Sequence, residues 1–310
     1  QTTGAPVALR IENRDWANWR ERWAAGDLPA LTVPRPGHAD YAGMLKYGLE
    51  DARPVLERAS ARETAARVAV GGLAKLLLKP FGVAVGSYVT TIGAASASPA
   101  ALDRPLEALL ERAEASDVRC PDEEAAGQMR AAIDAARQAG DSLGGVFVVL
   151  AQGVPVGLGS HVHWERRLDA RLAMAVVSIP AIKGVEIGPA FENAREPGTQ
   201  VHDPFLPGDE GEIVRPTNRA GGVEGGMSNG QPIVVRVAMK PIPSTVSPQR
   251  SVDLATGELA ETEYQRSDVC AVPAASVVGE AMVAWVLADA LVEKFGGDSL
   301  AEMLHRCAAI

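Results

Sequence analysis

The longest apolar stretch of the sequence constrains the fold most strongly. Residues 277–294 are mostly apolar, and their most apolar part, 281–292, still contains Asp289. No run of about eighteen uncharged apolar residues occurs, so the sequence does not predict a membrane-spanning helix. A helix that is apolar on nearly all sides is buried in a protein core. The stretch therefore predicts a long core helix that ends at Gly296 and Gly297.

The rest of the chain predicts a mixture of helices and strands. Behind Ser60, small and apolar residues recur at helical spacing until Pro80 and Gly82 stop the pattern. Ser60 and Glu63 have the spacing of a capping box, in which each side chain binds the other's free backbone donor. Further helices are predicted at 123–139, at 167–178 and from Ser299, which is followed by Glu302. Strands are predicted at 83–92, 144–153 and 232–239. Loops are predicted at 94–105 and 195–230.

Charge and cysteine content narrow the classes of function. The 310-residue chain has a net charge of −9, which disfavours nucleic-acid binding because that depends on basic patches. A small anion can still bind where arginines cluster. Cys120, Cys270 and Cys307 form no CxxC pair, so neither a zinc site nor a disulfide framework is predicted. We expect a reducing, cytoplasmic location.

The glycine-rich segment 221–226 does not match the phosphate-binding motifs. It lacks the G-x-G-x-x-G order, and no G-x-x-x-x-G-K-[ST] motif occurs in the chain. A dinucleotide-binding domain or a Walker loop is therefore disfavoured. Glycines of this kind either form a tight loop between strands or let a backbone approach a flat ligand.

Arg58 and Arg62 flank the predicted helix start at Ser60. Free N–H groups and the helix dipole favour an anion at this position, and guanidinium groups suit phosphate or carboxylate. The alternative is that Ser60 only caps the helix and Arg62 only pairs with a neighbouring carboxylate. The residues alone leave both possibilities open.

His38 lies in the sequence RPGHAD, which predicts a rigid turn. A histidine can exchange a proton near neutral pH, although most single loop histidines are only solvated or hydrogen-bonded. His161 and His163 could share a metal ion, but no cysteine or carboxylate motif accompanies them, so no metal site is predicted.

Several longer stretches, taken together and in order, resemble chorismate synthase over nearly the whole chain. They are RPGHADYAGMLKYG (35–48), ERASARETAARVA (57–69), GLGSHVHWERRLDARLA (157–173), SIPAIKGVEIG (178–188), TNRAGGVEGGMSNG (217–230), KPIPS (240–244), RSDVCAVPAA (266–275) and KFGGDSLAEM (294–303).

The resemblance implies a fold and an activity. The fold is α+β, a β-α-β sandwich of long central helices between antiparallel sheets, and residues 1–310 form a single domain of a homotetramer. The activity is that of a lyase, which eliminates phosphate in a 1,4-anti reaction from 5-enolpyruvylshikimate 3-phosphate, a small anionic substrate, to give chorismate in the shikimate pathway. The cofactor implied is reduced FMN, with NADPH needed only to reduce the flavin. No nucleic acid or membrane is implied as a partner.

The resemblance also assigns site residues position by position. His38 matches a histidine that acts as an acid toward the reduced flavin, and Asp268 matches an aspartate that assists deprotonation at flavin N5. Arg62 is assigned to the anionic groups of the substrate. The flavin contacts are Arg58, Ala59, Ser60, Pro180, Ala181, Gly225, Lys240, Pro241, Ile242, Pro243, Ser244 and Arg266.

The match begins after a family segment that contains another catalytic histidine and substrate-binding arginines. We therefore expect an N-terminal segment of the family domain to be absent ahead of Gln1. A protein of these 310 residues alone is expected to bind flavin poorly and catalyse little, whereas an ordinary enzyme is expected if they are part of a longer chain. The alternatives to the lyase are a catalytically incompetent oligomeric scaffold with half a site, and a flavin oxidoreductase that takes electrons from NAD(P)H. No dinucleotide motif supports the oxidoreductase.

Overall fold

The elements of the chain were located in a computed structural model, which describes residues 3–26 and 28–309. The helices are α1 (Trp16–Ala25), α2 (Asp40–Tyr47), α3 (Arg53–Arg58), α4 (Thr64–Leu78), α5 (Pro99–Leu102), α6 (Leu106–Ala115), α7 (Glu123–Ala139), α8 (Leu168–Val177), α9 (Ala190–Asn193), α10 (Gly198–Val201), α11 (Val272–Phe295) and α12 (Leu300–Ala308). The strands are β1 (Ala84–Ile92), β2 (Ala95–Ser96), β3 (Gly145–Gln152), β4 (Ile182–Ile187), β5 (Leu206–Pro207), β6 (Ile213–Val214), β7 (Val223–Glu224), β8 (Met227–Ser228), β9 (Ile233–Met239), β10 (Arg250–Val252) and β11 (Leu259–Glu261).

Five strands form one antiparallel sheet in the order β2-β1-β3-β9-β4. Side chains alternate between its two faces. On β3, Phe147 and Val149 are fully buried in the main core, whereas Val148 belongs to a smaller cluster with Leu109 on α6. The sheet is therefore covered by long helices on one face and by shorter elements on the other.

Helices α4 and α11 pack against each other across the first of these faces. A β-carbon built on Gly71 of α4 would lie 2.4 Å from the Cα of Ala281 on α11, so only glycine permits this approach. Helix α11 is long and apolar enough to cross a membrane, but 72% of its most apolar window is buried inside the protein. The predicted core helix is confirmed.

One group of charges is buried between the helices and the sheet. Glu280 of α11 is 6% exposed. Its carboxylate accepts hydrogen bonds from Ser87 of β1 at 2.6 Å and from the guanidinium of Arg119 at 2.9 Å, and it also pairs with Lys75 of α4. A buried carboxylate needs such partners because desolvation destabilises an isolated charge.

Most predicted elements are confirmed, including the α+β class, the strands and the helix that ends at Gly140. The capping box at Ser60 is wrong. Ser60 accepts from the backbone of Arg62, and the Glu63 carboxylate binds Arg67 instead, because a 3₁₀ turn (Ala61–Glu63) precedes α4. The predicted loop at 94–105 contains β2 and α5, and the loop at 195–230 contains short helical and strand segments.

Candidate functional site

The turn before α2 holds a compact group of three polar side chains. The Nδ1 atom of His38 lies 2.5 Å from Oδ1 of Asp40, and Arg35 donates from Nε to the other carboxylate oxygen at 2.8 Å. Arg35 Nη2 lies 3.0 Å from His38 Nδ1. Gly37 takes a φ of 77°, which lets the chain reverse between Arg35 and His38.

Asp40 is the buried anion of this group, with 2% of its surface exposed. Burial by itself raises the pKa of Asp40, but hydrogen bonds from His38 and Arg35 and the Arg35 charge outweigh burial and hold that pKa well below its usual range. Asp40 is therefore an acceptor at neutral pH. An ionised acceptor fixes the proton on Nδ1 of His38 and leaves Nε2 as the nitrogen that can exchange a proton.

The same turn contacts the segment 240–244 that follows β9. Arg35 Nη1 donates to Ser244 Oγ at 2.7 Å, and Lys240 Nζ donates to the carbonyl of Gly37. A β-carbon on Gly37 would lie 3.6 Å from Pro243. The structure therefore brings the predicted catalytic histidine against the predicted flavin segment.

Three further hydrogen bonds hold 240–244 in place. The carbonyl of Ile242 accepts from Ser142 Oγ at 2.6 Å, and the carbonyl of Ser244 accepts from Ser267 Oγ at 2.7 Å. The backbone N–H of Lys240 donates to the carbonyl of Ala181 at 3.0 Å. Ala181 has a φ of 66°, an uncommon conformation for alanine. The segments around 181, 240–244 and 267 thus form one connected strip.

The start of α4 is tied to the same region through Arg67. Its Nη1 donates to Ser178 Oγ at 2.7 Å, and its Nε donates to Glu63 at 3.0 Å. Ser178 follows α8 and precedes Pro180, so Arg67 links the 58–62 segment to the 180–181 segment. Arg62 binds Glu57 at 3.1 Å, which is the pairing with a neighbouring carboxylate that the sequence left open.

Two predicted residues before α11 are exposed. The side chain of Arg266 is 90% exposed and lies 4.0 Å from Asp15, and Asp268 is also exposed. Hydrogen bonds from Asn18 and Trp19 lower the pKa of Asp15, with smaller contributions from the charges of Arg266 and Arg62. Arg266 and Arg62 therefore lie on the same side of the molecule.

Gly225 is not brought together with the other predicted residues. It has a φ of 59° in the turn between β7 and β8, and the carbonyl of the adjacent Gly226 accepts from Leu168 at the start of α8. Pro180 lies beyond the other end of that helix. Ten helical residues span about 15 Å, which separates Gly225 from the strip around Ala181.

Sequence reasoning missed several residues that shape the site. Arg35 and Asp40 stand in the same RPGHAD motif as His38, so the motif itself carried a signal for them. No comparable signal marked Ser142, Arg67 and Ser178, because each forms its hydrogen bond with a residue 100 or more positions away in the sequence.

The residues present fit an anionic flavin and do not fit a metal ion. Among residues 3–26 and 28–309, no group of three histidine, cysteine, aspartate or glutamate side chains is placed to bind a metal. Arg266 is an exposed guanidinium group next to Ser267 of the connected strip, Lys240 is a second cation within the strip, and Arg58 is an exposed guanidinium at the end of α3. Guanidinium and ammonium groups are the side chains that bind phosphate.

Comparison with known proteins decides the family. A family model described as chorismate synthase matches residues 1–292. The chain belongs to the chorismate synthase family. It is 55% identical to the chorismate synthase of Chlorobaculum tepidum over 99% of this chain and 80% of that protein. The chorismate synthase of Desulforudis audaxviator is 56% identical over 98% of this chain and 80% of its own length.

A solved structure agrees with this assignment. A crystal structure of a chorismate synthase superimposes with a TM-score of 0.74 at 47% identity, over 87% of this chain and 74% of that one. As a chorismate synthase, the protein is a lyase that forms chorismate from a small anionic substrate by elimination of phosphate, in the shikimate pathway of aromatic amino-acid biosynthesis. Members of the family work with a reduced flavin.

Proposed function

We propose that this lyase uses reduced FMN, held by Arg58, Ala59, Ser60, Pro180, Ala181, Lys240, Pro241, Ile242, Pro243, Ser244 and Arg266. Gly225 lies at the other end of α8, about 15 Å from Ala181, and is not proposed to hold the same cofactor with them. The observation that carries the proposal is the contact between the Arg35–His38–Asp40 group and segment 240–244. When bound, reduced FMN supplies electron density to the breaking C–O bond and recovers it, so the reaction is redox-neutral.

His38 is the proposed acid of the site. Asp40 accepts from its Nδ1, so Nε2 is the atom that gives or takes a proton. Arg35 binds both Asp40 and Ser244, and it therefore fixes the imidazole relative to segment 240–244. This pre-organisation limits the motion that proton transfer would otherwise require.

Asp268 is proposed to assist deprotonation at flavin N5, and Arg62 is proposed to bind the anionic groups of the substrate. Asp268 is exposed and lies two residues after Arg266, which is itself a proposed flavin contact. Arg62 is about half exposed, and its surface ion pair with Glu57 is weak enough to exchange for a substrate carboxylate or phosphate.

The remaining proposals concern the assembly. We propose that residues 1–310 form one domain and that four copies associate as a homotetramer. We also propose that NADPH serves only to reduce the flavin and that the enzyme works in the cytoplasm. One continuous core runs from Ala74 to Met303, which supports a single domain. Sedimentation analysis of the purified protein tests the tetramer.

An anaerobic titration tests the cofactor and the roles together. FMN is added to the protein, reduced, and followed by 5-enolpyruvylshikimate 3-phosphate. With the family segment ahead of Gln1 present, we expect a substrate-dependent change in the flavin spectrum and one phosphate released per chorismate, with no net use of NADPH. The 310 residues alone should give a weaker response. No response to FMN would favour the scaffold, and NADPH consumed in proportion to product would favour the oxidoreductase.

A further inference from the structure

The second face of the sheet carries a buried tyrosine that points away from the long helices. Ser87 donates to Glu280 of α11, so its neighbour Tyr88 on β1 projects to the opposite face. Tyr88 is 7% exposed, and its hydroxyl has no hydrogen-bond partner in the part of the chain that the structure describes. Burial raises the pKa of Tyr88, so the phenol is a neutral donor.

Tyr88 lines a cavity of about 520 Å³. The strand register places Tyr88 opposite Val148, Val148 opposite Arg236, and Arg236 opposite Glu186, in one row across four strands. Neighbouring strands lie about 4.8 Å apart, so the Tyr88 and Arg236 positions are separated by about 10 Å. Val148 and Val234 form an apolar floor between them, and Phe191 lies at the wall.

One cationic side chain at the cavity has no ion-pair partner among the described residues. Glu186 binds Arg236 at 3.0 Å and accepts from the backbone of Phe191 at 2.8 Å. Glu192 binds Arg219 at 3.1 Å. Arg195 also lines the cavity and makes no ion pair with any described residue. The cavity thus offers a guanidinium group without an ion pair, an apolar floor and a phenol hydroxyl without a hydrogen bond to a described residue.

We propose that this cavity binds a small organic carboxylate with a flat apolar body and a hydrogen-bonding group at its far end. Arg195 binds the carboxylate, the body lies over Val148 and Val234, and Tyr88 binds the distal group. A single aromatic ring with a short chain is of a size that a cavity of about 520 Å³ can hold. The cavity shares no lining residue with the segments assigned to FMN, so it is a second site.

Calorimetry with 3-(4-hydroxyphenyl)propanoate tests the proposal on the purified protein. The matched ligands are 3-phenylpropanoate, which lacks the distal hydroxyl, and 3-(4-hydroxyphenyl)propanamide, which lacks the charge. We expect the hydroxylated acid to bind about threefold to tenfold more tightly than 3-phenylpropanoate. The amide should bind about tenfold more weakly than the acid.

Two substitutions locate the binding. Arg195→Gln should weaken both acids about tenfold, whereas Arg137→Gln, the same change at an exposed position of α7, should have no effect. Tyr88→Phe should abolish the difference between the two acids. Chorismate formation should be unchanged in all three variants.

Three results would overturn the proposal: no binding by the unmodified protein at about 10 mM acid, equal affinity of the two acids, or equal binding after Arg195→Gln. Because the comparison of the two acids uses the unmodified protein, it stays decisive even if Tyr88→Phe fails to fold.

Discussion

His38 and Asp40 are joined by a 2.5 Å contact between Nδ1 and Oδ1, and Arg35 donates to both oxygens of the same carboxylate, from Nε at 2.8 Å and from Nη2 at 3.1 Å. A rotation of Asp40 would therefore break several hydrogen bonds at once. The imidazole is oriented by this buried carboxylate together with Arg35, whose Nη2 lies 3.0 Å from His38 Nδ1.

Asp40→Asn should lower kcat by about tenfold to a hundredfold. Two donors of Arg35, its backbone N–H and Nε, require the amide oxygen at the Oδ2 position. The amide N–H₂ would then replace Oδ1, lose the hydrogen bond from Arg35 Nη2, face His38 and force the His38 proton onto Nε2. Anaerobic kinetics with reduced FMN measure the effect. Asp51→Asn is the matched control, because Asp51 also accepts backbone hydrogen bonds, from Leu31 and Arg53, away from His38. Equal kcat in the two variants would remove Asp40 from the positioning of His38.

The free energy of unfolding should decrease as the pH is lowered through the range in which Asp40 is protonated in the unfolded chain. Its pKa in the folded state is depressed, so its stabilising contribution is fully present above the unfolded pKa of about 3.9 and is lost as the pH falls toward the folded value. Urea unfolding from about pH 5 down to about pH 2 should show a decline, mostly below about pH 4, that is smaller in Asp40→Asn. An identical decline in that variant would assign the effect to other carboxylates.

Ala181→Gly should stabilise the protein by up to about 1 kcal/mol, because alanine at a φ of 66° is strained and glycine is not. Ala170→Gly in α8 should instead destabilise it by about 1 kcal/mol, since glycine disfavours a helix. Thermal unfolding compares the two. A loss of stability in Ala181→Gly would show that the backbone is not strained there.

Two adjacent glycines of α4 should respond in opposite ways to alanine. Gly71→Ala should destabilise the protein by about 2 kcal/mol or more, because the new methyl meets the backbone of Ala281. Gly72→Ala meets nothing within 4 Å and should stabilise the helix by up to about 1 kcal/mol. Chemical denaturation measures both, and similar effects would contradict the close helix contact.

Glu280→Ala should destabilise the protein by about 3 kcal/mol, because it leaves Arg119 buried without its main counter-ion. Glu114 also pairs with Arg119, but its side chain is 68% exposed. Glu114→Ala should therefore cost at most about 1 kcal/mol. Denaturation midpoints distinguish the two carboxylates, and equal losses would mean that burial does not decide their effect.

Residue patterns predicted the elements whose pattern is local. The apolar stretch of α11, and the glycines that follow α4 and α7, can be recognised from residues that are neighbours in the sequence. The predicted start of α11 at residue 277 was five residues late, because Pro273 opens the helix ahead of its most apolar part. Helix α5 was missed because four residues give no periodicity, although Ser98 caps it.

The site could be predicted from sequence only where a motif contains both partners. His38 and Asp40 lie two positions apart, whereas the contacts of Arg35 with Ser244 and of Arg67 with Ser178 join residues 209 and 111 positions apart. Such contacts follow from the packing of α4, α8 and the sheet. The roles assigned to single residues stay predictions until the variants are measured.

The contact of Gly71 with Ala281 has a consequence for ligand selection. Helix α4 begins just after segment 58–62, and α11 begins just after 266–268. Both segments are therefore mounted on one helix pair whose separation is set by the absence of a single methyl group. In the proposed flavin site, the spacing of the two helices therefore limits the size of the ring system that these segments can hold. We predict that a bulkier cofactor requires repacking of the two helices rather than substitutions in the surface loops alone.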